Sequence, residues 1–128
     1  MDSVDQTQPI GNNPDTVVDR SVLAAMSRGD ASIEREFITL YRRLNDEDMV
    51  KLHAAVAAGQ IAAAVQASHR ISGASRMIGA IALAAASSRV EHASRAGSLQ
   101  DVKAELPALE REIARVHTFL DLLLLDHP

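Results

Sequence analysis

Of the 128 residues in this chain, His69 has the surroundings best suited to chemistry. It stands in the run Ala67-Ser68-His69-Arg70-Ile71-Ser72-Gly73-Ala74-Ser75-Arg76-Met77-Ile78-Gly79. An imidazole offers a nucleophilic lone pair near neutral pH, because its reference pKa is about 6.5. Each residue of a helix turns by about 100°, so Ser72, Gly73 and Arg76 fall on the same side as His69. Glycine inside a helix costs about 1 kcal/mol relative to alanine. Gly73 has a use if something must come close to the helix surface there, because the missing side chain opens space beside the imidazole. That combination makes His69 a candidate phosphate carrier that another protein can reach.

The elements that must position His69 follow from hydrophobic periodicity. Apolar residues at three-to-four spacing predict five helices. A short first helix spans 16–27, with Val18, Val22, Leu23 and Met26 as its apolar face, and Gly29 ends it. Asp30 or Ser32 caps a second helix that carries Ile33, Phe37, Leu40, Tyr41 and Leu44, continues through Met49, Leu52 and Val56, and stops at Gly59. The third helix, from Gln60 or Ile61 to about Ile78, turns Ala64, Ser68, Ile71, Ser75 and Ile78 inward, which leaves His69 at the edge of the stripe, facing out. The fourth runs over about 80–96 on Leu83, Ala86, Val90 and Ala93. Ser98 caps the fifth, whose stripe is Val102, Leu106, Leu109, Ile113, Val116, Leu120 and Leu123. Pro107 lies within that stripe and predicts a kink, or a fresh start near Glu105. Long helices joined by one- to three-residue turns fold back on each other. The expected fold is all-α: an up-down antiparallel four-helix bundle with a short extra N-terminal helix. Residues 1–15 are polar, with Gly11, Asn12, Asn13 and Pro14 together, and read as a disordered tail or linker before a bundle domain over 16–126.

Composition removes several classes of function. The chain is 47% hydrophobic but only 2% aromatic, which favours helices over a sheet. It has no cysteine, so disulfides, thiolate zinc sites and cysteine nucleophiles are excluded. A net charge of -4 argues against nucleic-acid binding. No apolar run approaches the ~20 residues of a membrane span, and the N-terminus has no signal-peptide pattern, so a cytoplasmic location without direct membrane contact is expected. His53, His92, His117 and His127 read as surface residues, with none of the i,i+4 spacing of a helix-borne zinc site. No Glu stands three residues before a His, as a di-iron bundle requires. No glycine-rich phosphate loop is present, so no ATP site is expected. Asp46, Glu47 and Asp48 read as a solvated charge run, Ser68 and Ser75 as small packing residues, and Gly79 as a helix terminus only.

The run Ser68-His69-Arg70-Ile71-Ser72-Gly73, with Gly79 six places on, resembles the histidine phosphotransfer (Hpt) domain of bacterial multi-step phosphorelays. The turns Ala57-Ala58-Gly59 and Arg95-Ala96-Gly97 are similar to those that precede the His helix and the last helix of that family. The resemblance covers about 18–124. It implies a phosphorelay intermediate in which His69 accepts a phosphoryl group from a receiver-domain aspartate and passes it to another receiver aspartate. It implies no cofactor on this domain, with Mg²⁺ and the acidic pocket supplied by the receiver. The partners implied are receiver domains, donor and acceptor, and the chain is either a free protein or the C-terminal domain of a hybrid sensor histidine kinase. One residue departs from the family pattern: Ser72 stands where the family usually has lysine. Arg76 or Arg70 could supply the missing positive charge, and guanidinium suits phosphate well. A receiver would dock beside His69 on an apolar patch drawn from Leu44, Met49, Leu52, Val65 and Ile61, which on sequence alone are patch or core.

The alternative reading, kept open by Ser72, is a non-catalytic helical module that binds a receiver or kinase without being phosphorylated. A kinase dimerisation domain with its own ATP-phosphorylated histidine is a poorer match, since such domains lack this glycine arrangement and need an adjacent ATPase domain.

Overall fold

Local chemistry at the helix ends sets the boundaries. The computed structural model describes residues 17–125, so the expected tail over 1–15 and His127 lie outside the described residues. Asp19 caps the first helix, α1 (Arg20–Ser27), by accepting from the Ser21 N–H at 3.0 Å, which starts it four residues inside the predicted span. Asp30 caps α2 (Ala31–Ala58) in the same way, accepting from the N–H groups of Ser32 and Ile33. α3 (Ile61–Met77) and α4 (Ile81–Arg95) follow, and Ser98 accepts from the Asp101 N–H at 3.1 Å at the start of α5 (Leu99–Leu125). The described residues contain these five helices and no strand. The short turns at 59–60, 78–80 and 96–98 reverse the chain, and α2 to α5 form the antiparallel bundle with α1 laid across one end.

α5 runs unbroken through Pro107, so no fresh start occurs near Glu105. Pro107 and Lys103 both lie on the exposed face. The carbonyl of residue 103, which loses its helical donor, is therefore on the side where water can replace it.

The predicted inward stripes of α3 and α4 are buried throughout, and those of α5 are buried or half-buried. In α2 the inward face is offset from the predicted one. Glu34, Ile38, Tyr41, Asn45, Leu52 and Val56 are buried, while Ile33, Leu40 and Leu44 are about 40% exposed. Two polar residues on the inner face, Glu34 and Asn45, explain the offset: an apolar stripe chosen without them rotates toward the neighbouring face. Leu52 belongs wholly to the core, Met49 packs half-buried against it, and Ile61 and Val65 are half-buried. Of the five patch candidates, only Leu44 is an exposed surface residue.

Small residues set the spacing of the two helices that carry the site. Ala64, Ala67, Ser68 and Ser72 of α3 and Ala84 and Ser87 of α4 are all buried, and Ser68 and Ser72 meet α4 directly. The Ser87 hydroxyl donates to the Ser68 carbonyl at 2.7 Å across the seam, and the Ser68 hydroxyl donates back to the Ala64 carbonyl at the same distance. Each buried hydroxyl is thus satisfied, as a low-dielectric interior requires. The close seam brings short α4 side chains within reach of the outer edge of α3.

Candidate functional site

His69 follows Ser68, the residue at the centre of the seam, so its ring leaves the bundle at the edge of α3. Its side chain is 67% exposed. Glu91 leaves α4 in the same manner, directly after buried Val90, and meets it: His69 Nδ1 lies 3.1 Å from Glu91 Oε2. A carboxylate can only accept, so the Nδ1–H donates. In the neutral ring that leaves the lone pair on Nε2, the nitrogen that Glu91 does not hold. Arg95, one turn further along α4, donates to the same Glu91 oxygen from Nε at 3.0 Å and from Nη2 at 2.8 Å. Burial alone would push the Glu91 carboxyl up; the hydrogen bonds from Arg95 and His69, with their charges, outweigh it and hold the group below the ordinary carboxylate value. Glu91 therefore stays ionised and fixes the ring.

Sequence reasoning missed Glu91, which is 22 residues from His69. The signal available was the phase: His69 and Glu91 each follow a stripe residue on neighbouring antiparallel helices, and Arg95 is placed i+4 from Glu91 to hold it.

The other sequence-selected residues take distinct places. Gly73 lies one turn beyond His69, and a Cβ built on it would meet nothing within 4 Å, so the space beside the ring is open. Ser72 is buried at 1% exposure and points at α4, its hydroxyl 2.8 Å from Ser88 Oγ and 3.4 Å from the Ala84 carbonyl oxygen. Arg76 is exposed and donates from Nη2 to the same Ser88 Oγ at 2.9 Å. Arg70 turns toward α2 and pairs with Asp48 at 2.9 Å. Asp48, at 13% side-chain exposure, is thus a structural partner rather than part of a solvated run.

His117 differs from its expected surface position. Only 12% of its side chain is exposed, and its Nε2 lies 3.1 Å from Asn45 Oδ1. Asn45 Nδ2 in turn donates to Tyr41 Oη at 3.4 Å, and Tyr41 Oη lies 2.9 Å from Ser75 Oγ. Burial, set against the weaker hydrogen bond from Ser75, raises the Tyr41 phenol to about 12. This chain of polar groups crosses the core and ties α5 and α2 to α3, six residues beyond His69. Ser75 is buried as expected, with the added role of ending the chain.

An apolar groove of about 140 Å³ opens between α1, α2 and α3, lined by Met26, Phe37, Leu40, Leu44, Ala74 and Met77 among others. On α3 its lining begins at Ala74, the residue after Gly73. Among the described residues no group of three or more His, Asp or Glu is arranged to hold a metal ion, and no helix is long and apolar enough to cross a membrane.

A bundle with an exposed histidine that is held by a carboxylate and has a bare glycine one turn on defines a class of protein. The family model for the Hpt domain matches residues 36–119, and the chain belongs to that family. Among solved structures, the chain is similar to histidine-containing phosphotransfer protein B (HptB) from Pseudomonas aeruginosa PAO1, with a TM-score of 0.79 and 28% identity over 87% of this chain and 95% of that one. It also shares its fold with the HPT domain of a sensor hybrid histidine kinase from Shewanella, with a TM-score of 0.73 and 15% identity over 92% of this chain and 97% of that one. A search of curated proteins finds no match. Membership of the family supports a phosphotransfer role in two-component phosphorelays, where Hpt domains interact with receiver domains.

Proposed function

We propose that His69 is the phosphoacceptor and that the domain carries a phosphoryl group between the aspartates of two receiver domains. The observation that carries this reading is the His69–Glu91 pair: Nδ1 is occupied at 3.1 Å, which leaves Nε2 the lone pair, on a side chain that is 67% exposed. In the forward step the Nε2 lone pair forms a bond to phosphorus as the P–O bond to the donor aspartate breaks, and the carboxylate leaves with the electron pair. The ring, still protonated on Nδ1, becomes positive, and Glu91 stabilises that charge as it develops. In the reverse direction a second aspartate takes the group and the ring returns to neutrality. Gly73 leaves room for the receiver to approach, and Arg70, fixed on Asp48, sits at the α2 edge of the contact.

The groove lined by Phe37, Leu40, Leu44 and Met77 is the docking surface for the receiver in this reading, since its α3 wall starts at Ala74, directly after Gly73 on the helix that carries His69. The receiver is the expected holder of Mg²⁺, and this domain takes no cofactor of its own. The module acts in this way whether as a free protein or as a domain of a hybrid kinase.

The test is direct. The chain is incubated with a phosphorylated receiver and Mg²⁺, and acid-labile, base-stable phosphate is measured on wild type and His69→Gln. Label on wild type that vanishes in the variant is the expected result. Label that persists in His69→Gln overturns the assignment. Binding to receivers with no label from any of them would instead identify a docking module.

A further inference from the structure

The arginines around His69 are not equivalent. Arg70 is paired with Asp48, Arg95 with Glu91 and Arg89 with Glu105. Arg76 alone among these four makes its contact with a neutral group, the Ser88 hydroxyl. Its charge therefore remains uncompensated on the His69 side of the seam.

Its position follows from helix geometry. Arg76 is two turns beyond His69, roughly 10 Å along the axis at 1.5 Å per residue. Side chains on a helix lean toward its N-terminus, so a long side chain at 76 reaches back toward the previous turn. The Ser88 contact fixes this direction: Ser88 Oγ is also 2.8 Å from Ser72 Oγ, one turn from His69. The guanidinium is thus held at the level of Ser72 and Gly73, and nothing stands over Gly73 to block it.

We infer that Arg76, anchored by the Ser72–Ser88 hydroxyl pair, is the cation that receives the phosphoryl oxygens when His69 is phosphorylated. This inference rests on the reading of His69 as acceptor. Arg76 has four further N–H donors beyond the one on Ser88, enough to keep its anchor and bind an oxyanion together. The two serines act as positioning residues: they hold the guanidinium in reach but do not touch the phosphoryl group.

The experiment uses the full chain and phosphoramidate as donor, so that no receiver contact enters. The Nε2–P bond forms as the donor N–P bond breaks and ammonia leaves. Initial labelling rates are measured for wild type, Arg76→Gln, Arg76→Lys and Ser88→Ala, with thermal melts to show that each variant folds. Loss of one charge-assisted contact predicts a rate about tenfold lower in Arg76→Gln and about threefold lower in Ser88→Ala, with Arg76→Lys within about threefold of wild type. In addition, the ³¹P resonance of phospho-His69 titrates at lower pH in wild type than in Arg76→Gln, because a nearby cation favours the dianion. Wild-type rates and an unmoved titration in Arg76→Gln overturn the inference. So does a lysine variant as slow as the glutamine one, or an unchanged rate in Ser88→Ala. Absence of label on the wild-type chain with every donor is a different result and removes the acceptor reading itself.

Discussion

Asp19 and Gly79 meet backbone to backbone. The Asp19 N–H donates to the Gly79 carbonyl at 2.9 Å, and a Cβ on Gly79 would lie 2.7 Å from the Asp19 carbonyl oxygen. Gly79 is therefore more than the end of α3: it is the seat on which the start of α1 rests. Its φ of +82° adds a second demand, since an L-residue pays roughly 1–2 kcal/mol in the left-handed region. Gly79→Ala is expected to destabilise the domain by about 2 kcal/mol or more, a fall in Tm of about 10 °C in circular-dichroism melts. An unchanged Tm would mean that α1 does not depend on this contact.

Gly73 predicts the opposite sign. It is helical, and a methyl group there meets no neighbour. Gly73→Ala should stabilise the domain by up to about 1 kcal/mol through helix propensity. The same methyl projects into the space beside His69, so phosphotransfer from a receiver should fall by several-fold while phosphoramidate labelling changes less. A variant that is both more stable and fully active would remove the argument that Gly73 is kept open for a partner.

What could be read from the chain divides along physical lines. The inward stripes of α3 and α4 consist of apolar and small residues, so periodicity found them, and the outward phase of His69 followed from Ser68. The α2 face was misjudged because Glu34 and Asn45 point inward, a choice settled by partners on other helices. Ile33 and Leu40, placed on the apolar stripe by their hydrophobicity, are instead exposed, and Leu40 and Leu44 line the groove between α1, α2 and α3. Glu91 and His117 were missed for one reason: each owes its role to a contact across helices, 22 and 72 residues away. Composition and spacing carry no direct record of such pairs. Ser72, read as a phosphate neighbour from helical phase and from the family's lysine position, lies under the surface because α4 approaches closely enough to cover it.

Glu91 should matter for reactivity more than for stability. Its partners His69 and Arg95 are largely exposed, so Glu91→Gln should change stability by under about 1 kcal/mol. Loss of the anion removes the preference for the Nδ1–H form and the counter-charge for the phosphorylated ring. Labelling of His69 is expected to slow by about tenfold. Nitrogen chemical shifts of the His69 ring report the tautomer directly: wild type shows the proton on Nδ1, and Glu91→Gln shifts the population toward Nε2–H. Equal tautomer populations in the two proteins would dismiss the Glu91 mechanism even if rates differed.

His117 makes stability depend on pH. Burial first, and the nearby Arg42 second, lower its affinity for a proton in the folded state, while Asp46 and Asp121 oppose the shift without cancelling it. The unfolded chain then binds more protons than the folded one between the lowered value and the ordinary histidine value of about 6.5. Stability contributed by neutral His117 is full above that ordinary value and is lost as pH falls toward the folded one. The Nε2–H that donates to Asn45 Oδ1 survives protonation, so the cost lies in placing a charge at a site only 12% exposed, not in a broken hydrogen bond. His117→Gln retains a donor for Asn45 and cannot titrate. Melts between pH 7.5 and 5 should show wild type losing Tm more steeply than the variant, with the difference concentrated below pH 6.5. Parallel slopes would show that the core polar chain from His117 to Ser75 carries no proton-linked stability.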